Sequence, residues 1–223
     1  EPLPGMNIDG RVSLGENIGD LGGLSIALKA YEAELKAAGH CAFFIPGNVG
    51  VVAQMQEVHA AITKEFGEVN GLVNNAGRNA YYDPVEMTEA EWEDFMNVDF
   101  KSIWVTAKLC LPAMRKAKKG AIVNISSIHA RMSYPNYFPY AAAKSGILGL
   151  TRALAAEFSP HGIRVNCISP GQIPNDQTDK DQVETFRQMN AFQRTGLAED
   201  LKGAVALLAS DAGAWITGQE IVV

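Results

Sequence analysis

The fold is decided by a short stretch, Ala121-Ile-Val-Asn-Ile-Ser-Ser127, and by the segment that follows it from Tyr140 to Phe158. The first is an apolar run rich in β-branched residues, which is typical of a strand buried on both faces. The second is rich in Ala and has apolar side chains at helical spacing, which predicts a helix. We therefore expect a buried strand that delivers two serine hydroxyls to its carboxyl end, and a helix after it.

Tyr140 and Lys144 are a candidate proton-transfer pair on this helix, because residues four apart lie on one helix face. A phenol has a reference pKa of about 10, so it is a poor base at neutral pH unless a neighbouring ammonium lowers that pKa. The Ser127 hydroxyl would lie where it can hydrogen-bond a carbonyl oxygen. A Tyr and a Lys at this spacing also occur by chance on ordinary helices. The further motifs below favour the catalytic interpretation because they accompany the pair in one order.

Bulk composition excludes several classes of protein. The chain has 223 residues, 47% apolar and 20% charged, which is typical of one globular domain, and its net charge of −6 argues against nucleic-acid binding. The three cysteines have no metal-site spacing, and no segment predicts a membrane span or a signal peptide. We therefore expect a cytoplasmic protein with reduced thiols, no metal and no membrane partner.

Strand-like and helix-like segments alternate along the chain. The predicted strands are Arg11–Leu14, Cys41–Ile45, Leu72–Asn75, Ala121–Ser126, Arg164–Ile168 and Glu220–Val223. The predicted helices are Leu24–Ala38, Val51–Phe66, Glu89–Met114, Tyr140–Phe158 and Ala198–Ala209. This alternation predicts a single α/β domain over residues 1–223, a doubly wound and mostly parallel sheet of the Rossmann type with helices on both faces. Its ligands would bind beyond the carboxyl ends of the strands.

Four motifs together resemble the short-chain dehydrogenase/reductase family, with sugar-acid and polyol-type members most similar. They are Asn74-Asn75-Ala76-Gly77, Ser127 with Tyr140-x-x-x-Lys144, Arg164-Val-Asn166 followed by Pro170-Gly171, and Ala209-Ser210-Asp211 followed by Ile216-Thr217-Gly218-Gln219. The resemblance implies a Rossmann-type sheet that binds NAD(H) or NADP(H). It implies that Tyr140 is the general acid/base, that Lys144 lowers its pKa and holds the nicotinamide ribose, and that Ser127 polarises the substrate oxygen.

The resemblance also implies a set of coenzyme contacts outside this triad. Asn48-Val49 resembles an Asp-Val pair that contacts adenine, Asn75 to Gly77 would line the adenosine side, and Ile173 would lie near the nicotinamide carboxamide. The full implied set is Asn48, Val49, Asn75, Ala76, Gly77, Tyr140, Lys144, Pro170, Gly171 and Ile173.

One departure from the family pattern concerns Asp99. The family has a catalytic Asn seven residues after a Trp on the long helix, and the same count from Trp92 reaches Asp99. An ionised Asp cannot donate a hydrogen bond. Its carboxylate would strengthen the charge of Lys144 and weaken the effect of that charge on Tyr140. We include Asp99 among the candidate catalytic residues, in an altered role.

A second departure concerns the phosphate-binding loop. The family opens with Thr-Gly-x-x-x-Gly-x-Gly, whereas Gly15-Glu-Asn-Ile-Gly19-Asp-Leu-Gly22-Gly23 does not match it. We expect that part of the first βαβ unit and the C-terminal end are lacking from the sequence. Asp20 then aligns with the acidic residue after the second strand, which accepts from the ribose 2′-hydroxyl and favours NAD(H) over NADP(H). As an alternative, Asp20 only caps the next helix.

The expected reaction is hydride transfer between the nicotinamide and a secondary alcohol or ketone. Polar side chains in the loops favour a sugar, sugar acid or polyol as substrate; the candidates are His129, Arg131, Tyr137, Phe138, Asn79, Gln172 and Asn175. A non-catalytic nucleotide-sensing or scaffold protein is the alternative, because the glycine loop is incomplete and Asp99 is altered. A lyase is less consistent with the Ser/Tyr/Lys set. The helices Glu89–Met114 and Tyr140–Phe158 resemble a family dimer contact, which implies a homodimer or homotetramer.

Overall fold

The computed structural model describes residues 43–79, 81–174 and 178–223, together with the backbone of a strand at 12–15. The strands of this described part are β1 (Val12–Gly15), β2 (Gly71–Asn74), β3 (Gly120–Ile125), β4 (Ile163–Ser169) and β5 (Glu220–Val222). They form one sheet in the order β1-β2-β3-β4-β5, and each neighbouring pair is parallel. The predicted α/β class with a parallel sheet is confirmed.

The helices connect the strands. They are α1 (Val52–Phe66), α2 (Glu89–Met96), α3 (Ser102–Ala117), α4 (Phe138–Phe158), α5 (Lys180–Met189) and α6 (Lys202–Ala209). A π-helical turn, Asn97–Lys101, joins α2 to α3. Short 3₁₀ segments lie at Ile128–Ala130, Ser159–His161, Ala198–Leu201 and Asp211–Gly213.

Two predicted segments differ from the structure. The predicted strand Cys41–Ile45 is wrong over its described residues, because 43–45 lie outside the sheet. Phe43 is half-exposed and contacts Phe66 with the ring centres 6.1 Å apart, and Pro46 cannot donate to a strand ladder. The single predicted helix Glu89–Met114 is divided by the π turn and extends to Ala117. The predicted helix Leu24–Ala38, the glycine-containing loop and Asp20 lie outside the described residues.

The sheet carries helices on both faces because neighbouring strand residues point in opposite directions. On one face, Leu72 and Ile122 pack with Met114 and other α3 side chains. On the other face, Val73 and Val123 pack with Leu208 of α6. All four residues of β2 and all six of β3 are buried, which explains why their sequences are nearly continuous apolar runs.

A chain of buried polar side chains fixes the helices relative to the sheet. The Asn74 side-chain amide donates to Asn124 Oδ1 over 2.9 Å, and the Asn124 amide donates to Thr151 Oγ1 over 3.0 Å. Thr106 Oγ1 lies 2.7 Å from Asn74 Oδ1 and donates to it. These bonds join β2 and β3 to α3 and α4, so they hold the carboxyl end of the sheet in register with the helix that carries Tyr140.

Candidate active site

Ser127, Tyr140 and Lys144 meet at the carboxyl end of β3. Ser127 is buried two residues after the strand, and its Oγ accepts a hydrogen bond from the main-chain N–H of His129 over 3.2 Å. The Ser127 hydroxyl also interacts with the Tyr140 phenol and lowers its pKa. Lys144 Nζ lies over the Tyr140 ring, 5.3 Å from its centre. The sequence therefore identified three side chains that the fold brings into contact.

Lys144 is held in place by main-chain groups around β3. Its Nζ donates to the carbonyl oxygen of Ile125 over 3.3 Å, and its own carbonyl oxygen accepts from Ser126 Oγ over 2.8 Å. The side chain is buried. Burial lowers the pKa of the Lys144 ammonium, and the negative charge of Asp99 acts in the opposite direction.

The pKa of Tyr140 is raised, not lowered as predicted. Burial of the phenol is the largest cause, since the low-polarity surroundings disfavour the phenolate. The hydrogen bond with Ser127 lowers the pKa, and the charge of Asp99 raises it. The Lys144 ammonium over the ring face would act against this rise, because a nearby positive charge favours the phenolate.

Asp99 lies in the π turn behind this triad and is fully buried. Its Oδ1 accepts from the main-chain N–H of Arg78 over 2.8 Å, and its Oδ2 lies 3.8 Å from Arg78 Nε. Within the described part of the chain Oδ2 has no hydrogen-bond partner. Burial is the largest influence on this carboxyl and raises its pKa to about 6. The hydrogen bond from the Arg78 N–H and the positive charges of Lys144 and Arg78 act in the opposite direction.

Gly77 provides the space in which these groups meet. A Cβ on this residue would lie 3.0 Å from Asp99 Oδ1 and 3.2 Å from Lys144 Nζ. Both contacts are tighter than a methyl group normally tolerates. The absence of a side chain at Gly77 therefore lets the Asp99 carboxylate and the Lys144 ammonium approach the backbone at the end of β2.

The other predicted coenzyme contacts lie along the same sheet edge. Asn75 and Ala76 follow β2 directly, and Pro170 and Gly171 follow β4. The carbonyl oxygen of Pro170 accepts from the N–H of Ile128 over 3.1 Å, so the ends of β3 and β4 are tied together. Ile173 lies next to Gly196, since a Cβ added to Gly196 would be 2.9 Å from Cγ1 of Ile173.

Asn48 and Val49 lie beside the π turn. Asn48 Oδ1 accepts from the N–H of Gly50 over 2.9 Å, so its side chain closes a tight turn. Val49 is buried in a cluster with Met55 and Val98, which assigns its side chain to the core and leaves its main chain for ligand contact. The predicted adenine contact therefore stays a prediction for the Asn48 side chain and the Val49 backbone.

A cluster of aromatic rings packs against the ring of Tyr140. Tyr137 packs on Tyr140 with the ring centres 4.7 Å apart, and His129 lies edge-on to both rings. Tyr81 lies 4.9 Å from Tyr137, and Tyr134 lies 5.1 Å from His129. Tyr81 and Tyr134 were not predicted. The sequence could have identified them, because both are aromatic residues in loops that follow predicted strands.

Some of the predicted substrate-pocket residues lie at Tyr140, and the others make contacts elsewhere. Tyr137 and His129 lie at Tyr140, and Asn79 accepts from the Tyr137 hydroxyl over 2.9 Å. Phe138 stacks on Trp92 with the ring centres 5.9 Å apart, and Arg131 is ion-paired with Glu220. Gln172 is tied to the next segment through its carbonyl oxygen, which accepts from the N–H of Gly196 over 3.0 Å. Asn175 lies outside the described residues.

The described residues contain neither a metal-ligand cluster nor a membrane-spanning helix. Among them, no three His, Cys, Asp or Glu side chains are close enough to hold a metal ion. None of the helices in this part of the chain combines the length and apolar character required to cross a membrane.

Comparison with known proteins identifies the family. The family model of the enoyl-(acyl carrier protein) reductases matches residues 23–223. The 3-oxoacyl-[acyl-carrier-protein] reductase of Staphylococcus epidermidis is 35% identical over 196 residues, which cover 86% of this chain and 80% of that protein.

Solved structures give the same result. A protein from Sinorhizobium meliloti, assigned as a short-chain alcohol dehydrogenase, is 33% identical with a TM-score of 0.83, covering 88% of this chain and 80% of that one. A protein from Agrobacterium tumefaciens, assigned as a gluconate dehydrogenase, is 27% identical with a TM-score of 0.82 over 88% of this chain and 79% of that one. With the parallel sheet and the Ser/Tyr/Lys geometry, these matches lead to one conclusion: the chain belongs to the short-chain dehydrogenase/reductase family.

Proposed function

We propose that this chain, an NAD(P)-dependent oxidoreductase acting on a CH–OH or carbonyl group, interconverts a secondary alcohol and a ketone with Tyr140 as the general acid/base. The observation that supports this is the meeting of three groups at the end of β3: the Ser127 hydroxyl interacts with the Tyr140 phenol, and the buried Lys144 ammonium lies over the Tyr140 ring. A phenol at this position can move a proton at the substrate oxygen, and Ser127 can donate to the same oxygen.

The coenzyme would lie along the carboxyl edge of β2, β3 and β4. Gly77 has no side chain and admits the Lys144 ammonium close to the backbone, and a buried ammonium at this edge suits a hydroxyl-rich ribose. We assign its binding to Asn48, Val49, Asn75, Ala76, Gly77, Tyr140, Lys144, Pro170, Gly171 and Ile173. When bound, the nicotinamide supplies the hydride acceptor or donor.

The protein's own part in the reaction is proton transfer and orientation. In the oxidation direction, Tyr140 removes the hydroxyl proton while Ser127 holds the oxygen in place. In the reduction direction, Tyr140 returns the proton to the oxygen that becomes the alcohol. The rings of Tyr137 and His129 pack against the Tyr140 ring and would help to orient it.

The substrate and the coenzyme preference are finer proposals. We propose a sugar, sugar acid or polyol, supported by the polar side chains around the site and by the match to a protein assigned as a gluconate dehydrogenase. We propose a preference for NAD(H) on the ground that a carboxylate at Asp20 would repel a 2′-phosphate. Titration of the protein with NADH and NADPH, followed by nicotinamide fluorescence, measures this preference directly. Tighter binding of NADPH would reject it.

The experiment that tests the proposed function is the Tyr140→Phe variant. With secondary alcohols, sugars and sugar acids as substrates, we expect kcat/KM to fall about a hundred- to ten-thousand-fold while coenzyme binding is retained. Tyr82→Phe is the matched control, because among the described ring contacts its ring does not touch Tyr140. Turnover of Tyr140→Phe at the wild-type rate would reject the role of Tyr140. Failure of the wild-type chain to bind either coenzyme would favour a scaffold protein instead.

We also propose a cytoplasmic homodimer or homotetramer. Cys110 and Cys167 are buried free thiols, as a reducing compartment favours. Trp92 and Trp104 leave apolar surface exposed on α2 and α3, in the region that the family resemblance assigns to subunit contact.

A further inference from the structure

Asp99 is a buried acid near Lys144 of the catalytic triad. It is fully buried, it lies in the π turn, and α4 packs against that turn. A buried carboxylate is costly unless cations or hydrogen-bond donors compensate its charge. The groups that face it therefore decide what it does to the site.

The groups facing Asp99 come from two directions. From the loop after β2, the main-chain N–H of Arg78 donates to Oδ1 and the Arg78 guanidinium lies 3.8 Å from Oδ2. That guanidinium is shared with Asp94, to which its Nη2 also donates. From α4 and the residue before it come Lys144, Tyr140 and Tyr137, all three in electrostatic contact with the carboxylate. On its own turn, Lys101 bonds Asn97 and is exposed.

This arrangement compensates the negative charge of the carboxylate only in part. One of its oxygens has no hydrogen-bond partner among the described residues, and Arg78 is divided between two acids. Asp99 Oδ1 and Lys144 Nζ approach the same point above Gly77. The negative charge of Asp99 therefore opposes the field that the Lys144 ammonium produces at Tyr140.

We propose that Asp99 is a positioning residue that holds the Tyr140 hydroxyl in its protonated form by offsetting the charge of Lys144, so that the site is set to donate a proton to a carbonyl. The inference rests on the proposed function, in which Tyr140 transfers the proton. It assigns the chain to reduction at neutral pH, with alcohol oxidation favoured only in more alkaline solution. The shift of the Tyr140 pKa toward higher values, to which Asp99 contributes, is consistent with it.

The test compares the isosteric Asp99→Asn variant with the wild type. The Asn side-chain oxygen can still accept from the Arg78 N–H, but the negative charge is gone. Titration of the Tyr140 phenolate is followed by ultraviolet absorbance, as the difference between each protein and its Tyr140→Phe counterpart. We expect phenolate formation, and the acid limb of the pH profile of alcohol oxidation, to move to lower pH by about one unit in Asp99→Asn.

The matched control is Glu93→Gln, which removes one negative charge from an exposed residue of α2. We expect its titration to superimpose on the wild type. An unshifted titration of Asp99→Asn, or a shift to higher pH, would overturn the inference. If Asp99→Asn fails to fold, Arg78→Gln serves instead: loss of the guanidinium should move phenolate formation to higher pH, and no movement would equally overturn the inference.

The absorbance measurement separates this inference from the proposed function. Lack of turnover with every alcohol and ketone, together with a shifted phenolate titration, would reject the proposed function and keep the electrostatic role of Asp99. Turnover that depends on Tyr140, together with an unshifted titration, would reject only the role of Asp99.

Discussion

At the scale of single residues, the site depends on the absence of a side chain at Gly77 and on an acid in an unusual place. Both residues can be seen in the sequence, but only the structure shows the surroundings that give them their importance. Gly77 is one of 21 glycines, and only the structure shows a carboxylate and an ammonium within 3.2 Å of its potential Cβ. Asp99 is one of 25 acidic residues, and only its full burial distinguishes its chemistry.

Gly77→Ala is expected to damage both stability and coenzyme binding. The new methyl group would press on Asp99 Oδ1 and Lys144 Nζ, so we expect a loss of about 1–3 kcal/mol in unfolding free energy and weaker NADH binding. Urea unfolding and nicotinamide fluorescence measure the two effects. Gly149→Ala is the control: a Cβ there meets nothing within 4 Å, so stability should be unchanged or rise by up to about 1 kcal/mol. Equal behaviour of the two variants would contradict the crowding at Gly77.

Asp99 should also make stability depend on pH. Its carboxyl has a pKa of about 6 in the folded chain against 3.8 as the ordinary value, so the folded state binds the proton more tightly. This contribution is complete below the ordinary pKa and is lost as pH rises through 6, a change of about 3 kcal/mol. Relative to the wild type, Asp99→Asn should therefore be more stable at pH 7 than at pH 4. Urea unfolding of both proteins at the two pH values checks this, and a difference independent of pH would refute it.

At the scale of elements, the region from α2 to α3 shows what the sequence could and could not predict. The helix start was predictable because Thr88 precedes a polar first turn, and the structure forms a capping box between Thr88 and Glu91. The π turn at Asn97–Lys101 was not predictable. It packs against α4, and π turns of this kind have no local residue pattern from which they could be predicted.

Thr88→Ala should measure the contribution of this cap. Thr88 Oγ1 accepts from the N–H of Glu91, and Glu91 Oε2 accepts from the N–H of Thr88 over 2.8 Å. Removing the hydroxyl should cost about 1 kcal/mol in unfolding free energy with little change in kcat. Chemical denaturation gives the first quantity, and Glu93→Gln in the same helix should show almost no loss. A stability loss no larger than that of Glu93→Gln would show that the cap does not matter.

The remaining elements also include some that the sequence could predict and some that it could not. Buried strands were predictable from continuous apolar runs, as in β2, β3 and β4. The helix α5 was missed because all its residues are at least partly exposed and its sequence is strongly polar. In the candidate site, the triad was predictable from spacing, whereas the direction of the Tyr140 pKa shift required knowledge of burial.

At the scale of the whole molecule, the exposed apolar surface of α3 allows the proposed oligomer to be tested. Trp104 is 46% exposed, and Lys108 Nζ lies 5.2 Å from the centre of its ring. If this face forms the subunit contact, Trp104→Glu should reduce the sedimentation coefficient to that of a monomer. Trp215→Glu is the control, because that ring is also exposed but lies near β5. A monomeric wild type, or an unchanged oligomer in Trp104→Glu, would contradict the assignment.

The buried bonds among Asn74, Asn124, Thr106 and Thr151 have a further consequence. Every member of this set is electrically neutral, so neither added salt nor acid weakens it directly. The framework that spaces the triad should thus keep its dimensions across a wide span of buffer conditions. A rate that varies with ionic strength would accordingly report on coenzyme capture at the rim, and not on a loosening of the scaffold beneath it.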